Sequence, residues 1–174
     1  MFDWNKPADI RTELSSIYPR IWRYALVLTA TRDRADDLAQ AACLRAMERQ
    51  KQFEPGTDLV RWVFRITHNL WINELRKEAV RRRNGLGGVE LSDVIDTSQD
   101  IEKMGQQREL MEHVLHLPEA QRQTVVLTYV EGYSYKEVAD ILEIPIGTVM
   151  SRLATARKTL TKRYKNNQGV QHVS

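Results

Sequence analysis

Residues 144–174 carry no Asp or Glu, while Arg152, Arg157, Lys158, Lys162, Arg163 and Lys165 all fall within them. Cations without neighbouring acids make a docking surface for a polyanion such as a phosphate backbone. A basic helix face can also be merely solvated, so the spacing of its neighbours must decide. If this stretch is a helix, Val149, Leu153, Ala156 and Leu160 fall on one buried stripe, with Thr148, Ser151, Thr155, Lys158 and Lys162 opposite. Small hydroxyls first and cations after suit a helix lying in a DNA major groove, reading base edges and then gripping phosphates.

A second constellation lies upstream. Arg61, Arg65, Asn69, Ile72 and Arg76 share one side of a helical stretch whose other side, with Trp62, Ile66 and Leu70, reads as core. Cations with an amide are what is needed to hold a nucleic-acid backbone while a base leaves the stack. Two histidines, His113 and His116, each follow a glutamate by four residues, Glu109 and Glu112. Helical spacing makes a metal site conceivable there, but no clustered cysteine supports it. No nucleophile motif, phosphate-binding glycine loop or carboxylate pair stands out. The expectation is therefore no enzymatic activity, no cofactor and no bound metal.

Apolar spacing is helical nearly everywhere and no strand-length alternation appears, which predicts an all-α fold. A first helical stretch spans 9–30, with Pro19 near the start of its second half. Asp33 reads as the N-cap of a helix over 34–50. A loop over 52–58 containing Pro55-Gly56 precedes a long helix from Leu59 into the basic run Arg76, Lys77, Arg81, Arg82 and Arg83. Asn84-Gly85-Leu86-Gly87-Gly88 then breaks the helix, and the following segment is acidic, with Glu90, Asp93, Asp96 and Asp100. That composition predicts two small helical domains, 1–84 and 101–165, joined by a flexible acidic linker at 85–100 and followed by a tail at 166–174. In the second domain, helices are expected over 101–116, 118–130, 134–142 and from 145 or 146 to about 165. Ser134-Tyr135-Lys136-Glu137 is a capping box, and Ile144-Pro145 forces a turn before Gly147-Thr148-Val149, which predicts a helix-turn-helix.

With 174 residues, 42% hydrophobic and 28% charged, the chain reads as soluble and globular, and its net charge of +3 is modest beside its uneven distribution. The single cysteine, Cys43, excludes an internal disulfide framework and fits a reducing compartment. With no secretory h-region and no apolar run of membrane-spanning length, a cytoplasmic location without membrane insertion is expected.

The letters of the second domain narrow the reading. Leu117-Pro118, Arg122, Glu131-Gly132-Tyr133-Ser134-Tyr135-Lys136-Glu137-Val138-Ala139, Ile144-Pro145-Ile146-Gly147-Thr148-Val149, Ser151-Arg152-Leu153 and Ala156-Arg157 closely resemble the promoter-reading domain of extracytoplasmic-function (ECF) sigma factors, the small two-domain relatives of sigma-70. The resemblance implies contacts to the minus-thirty-five element from Tyr135, Lys136, Thr148, Met150, Ser151, Arg152, Thr155, Lys158 and Lys162. Met150 and Thr155 stand where many relatives carry basic residues, which bears on the DNA sequence preferred.

The first domain carries the resemblance independently. Arg34-Ala35-Asp36-Asp37-Leu38-Ala39-Gln40-Ala41-Ala42-Cys43-Leu44-Arg45-Ala46 looks like the family's polymerase clamp helix. Helical spacing puts Ala35, Leu38, Ala39, Ala42 and Ala46 inside, and Asp37, Gln40, Ala41, Leu44 and Glu48 outside. The resemblance makes these outward residues the contacts to core RNA polymerase at its β′ clamp. Relatives commonly carry Glu and an aromatic residue where this chain has Ala41 and Cys43. The run from Trp62 through Arg65, His68, Asn69, Trp71 and Asn73 to Lys77 is similar to the family's melting and minus-ten helix, with the base pocket largely in the loop before it. This implies DNA contacts from Phe53, Asp58, Arg61, Arg65, Asn69, Asn73, Arg76 and Lys77. Trp71 and Asn73 replace smaller and acidic residues of relatives.

The resemblance implies an alternative sigma factor that binds core RNA polymerase through its β′ clamp and β flap, recognises promoter DNA and nucleates strand opening. It also implies an anti-sigma factor as inhibitor. Two other readings stay open on the residues alone: a helix-turn-helix regulator acting without polymerase, and a sigma-like adaptor that sequesters an anti-sigma factor.

Overall fold

The computed structural model describes residues 10–54, 56–85 and 108–170, with side chains throughout except for 108–111 and 164–170. Among the described residues there are seven α-helices and no β-strand. The chain divides into two compact units, Met1–Val94 and Ile95–Ser174. The expected linker at 85–100 lies, apart from Gly85, outside the described residues.

The first unit packs three helices on one another: α1 (Ile10–Thr29), α2 (Arg32–Glu48) and α3 (Leu59–Arg83). Leu14, Ile21, Ala25 and Leu28 recur on one side of α1 and are buried. Pro19 does not divide α1 into halves. It lies exposed within one continuous helix, with its ring on the solvent side. Ala30, with φ 58, ends the helix in the left-handed region, and Thr31 is extended. The cap of α2 is therefore Thr31, not the expected Asp33, because Thr31 is the last extended residue and the helical conformation already begins at Arg32. Asp33 sits instead in the first turn, where its charge complements the positive end of the helix dipole.

Along α2 the expected inward residues are all buried, with Ala35, Ala39, Ala42 and Ala46 fully so. Their small side chains let α1 and α2 approach closely. The Trp22 indole N–H donates to Asp36 Oδ1 at 2.6 Å, tying the two helices together. After α2, Gln50–Gln52 forms a 3₁₀ turn, so Gln52 closes that turn rather than opening the loop. Asp58 caps α3 by accepting the Arg61 backbone N–H at 3.1 Å.

The core stripe of α3 differs from the expected one. Val63, Phe64, Thr67 and Trp71 are fully buried, whereas Trp62 and Leu70 are half-buried at its margin, and only Ile66 of the expected three is buried. A helix that packs against two neighbours turns toward them the side carrying its bulkiest rings. Phe64 meets Tyr24 of α1 at 4.8 Å between centroids. Asn84 and Gly85, the latter with φ 70, end α3 where expected.

The second unit comprises α4 (Arg108–Leu115), α5 (Glu119–Val125), α6 (Tyr135–Leu142) and α7 (Ile146–Val170). Residues 101–107 of the helix expected over 101–116 lie outside the described residues. The expected helix over 118–130 widens in its last turn into a π-turn, Val126–Val130, closed by Glu131 N–H to Val126 O at 2.9 Å. Gly132, with φ 78, then reverses the chain. The capping box forms as expected: Ser134 Oγ accepts the Glu137 N–H at 3.3 Å, and the Glu137 carboxylate accepts the Ser134 N–H at 2.9 Å. Glu143 ends α6 in the left-handed region at φ 52, and Pro145 accepts the first backbone bonds of α7. The helix-turn-helix is thus built from α6 and α7. α7 continues to Val170, past the expected end near residue 165.

Candidate nucleic-acid and partner interfaces

The outward face of α2 is laid out as its spacing predicts. Asp37, Gln40, Ala41, Leu44 and Glu48 are all exposed, directly behind the buried alanines. Leu44 is 58% exposed, an apolar side chain amid polar ones. Glu48 pairs with Arg45 at 3.3 Å across one helical turn, so its charge is partly balanced. Cys43 does not belong to this face. It is half-buried and lines a hollow of about 450 Å³ with Arg11, Leu14, Ser15, Tyr18 and Met47, and burial pushes its thiol pKa up. The Tyr18 hydroxyl is pushed up too, first by burial and then by Asp36 and Cys43. Cys43 therefore acts on the packing of α1 against α2.

The upstream cationic constellation is split by the fold. An open groove of about 310 Å³ brings together Arg65, Asn69 and Asn73 of α3 with Arg45 and Arg49 from the end of α2 and Gln52 of the 3₁₀ turn. Trp62, Ile66 and Leu70 form its apolar wall. Arg45, Arg49 and Gln52 were not legible in the sequence as site residues. Arg45 and Arg49 stand one turn apart, but only the packing of α2 against α3 brings them to the groove that Asn69 also lines. Trp62 serves as wall rather than core, and its ring lies 5.3 Å from that of Phe53 at 45°. Phe53 thereby braces the loop entering α3. Asp58, exposed, has its carboxylate engaged as the cap. Arg61 is half-buried; Arg76 and Lys77 are exposed farther along α3, outside the groove. Ile72 is half-buried. Trp71 is not available to DNA: it is fully buried, with the Arg34 guanidinium over its ring.

In the second unit, Val149, Leu153 and Ala156 of α7 are fully buried and Leu160 only half-buried. Of the predicted contacts, Tyr135, Lys136, Met150, Ser151, Thr155, Lys158 and Lys162 are exposed, whereas Thr148 and Arg152 are half-buried. Arg157 is also exposed, on the side of α7 that carries Ile146 and Met150. Half-buried Arg163 turns inward and donates to His116 O at 3.1 Å, clamping α7 to the end of α4. Ser151 Oγ donates to Thr148 O and Thr155 Oγ1 to Ser151 O, both at 3.0 Å. The two hydroxyls thus present lone pairs, not protons, to whatever approaches.

His116 Nδ1 lies 2.7 Å from Glu112 O, and no group of three or more His, Cys, Asp or Glu side chains converges among the described residues. No helix of the described residues is long and apolar enough to cross a membrane.

Residues 14–81 match the family described as Sigma-70 region 2, and residues 107–160 match Sigma-70, region 4. The ECF RNA polymerase sigma factor EcfG of Rhodopseudomonas palustris (strain TIE-1) is 32% identical over 158 residues, covering 88% of this chain and 83% of EcfG. SigW of Bacillus subtilis (strain 168), also an ECF RNA polymerase sigma factor, is 26% identical, covering 91% of this chain and 90% of SigW. Among solved structures, the sigma factor RpoE of Bartonella quintana in complex with the anti-sigma factor NepR superposes with a TM-score of 0.67 at 28% identity, over 90% of this chain and 97% of that one. CnrH, solved with the cytosolic domain of CnrY, shares the fold at a TM-score of 0.60 and 22% identity, over 90% of this chain and 88% of that one. Two sigma-70 regions in this order, together with a relative so similar across nearly the whole chain, place this protein in the ECF RNA polymerase sigma factor family.

Proposed function

We propose that this chain is an alternative sigma factor: it joins core RNA polymerase, reads promoter DNA with both helical units and nucleates strand opening. The observation that carries the reading is the presence, in one chain with the helix-turn-helix, of an α2 face and an α2–α3 groove that a simple duplex-binding regulator does not need. In this reading residues 1–84 bind polymerase and the minus-ten element, 85–100 tether, and 101–165 read the minus-thirty-five element.

The exposed stripe Asp37, Gln40, Ala41, Leu44 and Glu48 is the polymerase contact at the β′ clamp, with the second unit on the β flap. Acids around one exposed leucine suit a partner surface with a small apolar seat ringed by cations. The minus-ten contacts are Arg65, Asn69 and Asn73 in the groove, with Arg61, Arg76 and Lys77 along the backbone and Phe53 and Asp58 shaping the entry loop. Extruding a base costs a few kcal/mol, and a groove with an aromatic wall, amides and guanidinium groups returns it through stacking and hydrogen bonds. The minus-thirty-five contacts are Tyr135, Lys136, Thr148, Met150, Ser151, Arg152, Thr155, Lys158 and Lys162. Catalysis belongs to the polymerase; the sigma chain supplies recognition and no enzymatic group. It acts in the cytoplasm with polymerase. An anti-sigma factor restrains it, by analogy with RpoE, which was solved bound to NepR.

Reconstitution tests this. The purified chain mixed with sigma-free core polymerase and a broad promoter library yields discrete run-off transcripts. Silence together with no binding to core would leave a plain helix-turn-helix regulator, and silence with tight anti-sigma binding would leave the adaptor.

A further inference from the structure

The first turns of α7 combine features that point to one chemical group on DNA. Ile146 and Met150 stand four residues apart, hence on one face, and are 49% and 53% exposed. They are apolar side chains in a helix without an acid, followed by the exposed cations Arg157, Lys158 and Lys162. The polar groups beside them are poor donors: the Ser151 and Thr155 hydroxyl protons are committed to the helix's own carbonyls, and Arg152 is half-buried. The two exposed apolar side chains themselves offer neither donor nor acceptor to a base edge. They suit a partner edge with an apolar group, and the thymine C5-methyl is the only apolar group that the four base pairs display in that groove.

We infer that Met150, seconded by Ile146, is a specificity-determining residue that reads a thymine methyl in the minus-thirty-five element. The inference rests on the proposed sigma-factor reading and names the group that its second unit recognises. The cations fix the occupant as DNA: an uncompensated positive helix carries the phosphates while the apolar pair sits between them, toward the base edges.

Deoxyuridine differs from thymidine only by lacking that methyl, which makes the inference directly testable. The holoenzyme, full chain with core polymerase, is first used to select its preferred minus-thirty-five sequence from a randomised duplex library. Each thymine of the selected element, on either strand, is then replaced singly by deoxyuridine and affinity is measured. At one or two positions binding is expected to weaken about fourfold, the contribution of one buried carbon. Met150→Ala should lose affinity to a similar extent on the thymine duplex and be indifferent to deoxyuridine there, with Ile146→Ala showing a smaller loss. An unchanged melting temperature for both variants confirms that these exposed sites report on contact and not on folding. A selected element without thymine, indifference of the unmodified protein to every replacement, or an undiminished deoxyuridine effect in Met150→Ala each overturns the inference. In those outcomes promoter-specific transcripts still appear, whereas loss of all promoter-specific binding by the unmodified protein overturns the sigma-factor reading itself.

Discussion

The guanidinium carbon of Arg34 lies 4.7 Å from the centroid of the buried Trp71 ring, while its Nη2 reaches Glu74 at 2.8 Å and Glu78 at 2.5 Å. One side chain of α2 thus holds three residues of α3, spaced at successive turns, and joins the start of the outward α2 face to the half of α3 that carries Asn73, Arg76 and Lys77. The Arg34 side chain is 27% exposed, so these contacts are partly shielded from water.

Arg34→Ala should destabilise the first unit by about 2 kcal/mol, since partly shielded charged hydrogen bonds exceed surface pairs and the ring contact adds to them. Arg34→Lys should recover less than half, because an ammonium cannot span two carboxylates and stack at once. Chemical denaturation of the full chain, followed by the fluorescence of its four tryptophans, all of which fall within the first unit, measures both.

Trp71 is fully buried and its indole N–H has no hydrogen-bond partner. Trp71→Phe should therefore cost only about 1 kcal/mol, whereas Trp71→Ala opens a cavity and should cost about 3–5 kcal/mol. If promoter preference, mapped by run-off transcription, changes in Trp71→Phe while stability holds, Trp71 touches DNA after all.

Removing the hydroxyl of the capping box, in Ser134→Ala, should cost about 1 kcal/mol and weaken promoter binding through the helix-turn-helix alone. Thermal unfolding sets the first effect; footprinting over the two promoter elements locates the second.

Lys158 and Lys162 are exposed one turn apart on α7. Replacing both by Ala should flatten the dependence of log affinity on log salt by about 0.9 per lost phosphate contact, thus by about two units. A titration of promoter affinity from low to moderate salt reads the slope, and an unaltered slope means that this face is only solvated.

Charge reversal at Asp37 combined with Gln40→Ala should weaken binding to core polymerase about tenfold, while the melting temperature stays unchanged because both residues are exposed. Fluorescence titration with core polymerase gives the affinity. Equal affinity would remove α2 from the polymerase contact.

Residue spacing alone made much of this protein legible. The helical period placed the alanine stripe of α2 inward and Asp37, Gln40 and Leu44 outward, and the Ser134 to Glu137 signature located the start of α6, because both are local properties of a single helix. The turn between α6 and α7 followed from Pro145, though the strained conformation falls on Glu143.

Which side of α3 is core required the tertiary structure. Its apolar residues occupy more than half its circumference, so two stripes were compatible with the period, and packing against both α1 and α2 selected the one with Phe64 and Trp71. The same packing turned Trp62 into a groove wall and brought Arg45 and Arg49 into one groove with Asn69 across a gap of chain that no local pattern encodes. Arg163 shows the limit from the other side: its charge was evident, but its bond to His116 O, far away in the chain, withdraws it from the cationic face. A sequence carries the period of each helix; the rotation of one helix against another is set by side-chain volumes meeting across the interface, and that is settled only when the helices pack.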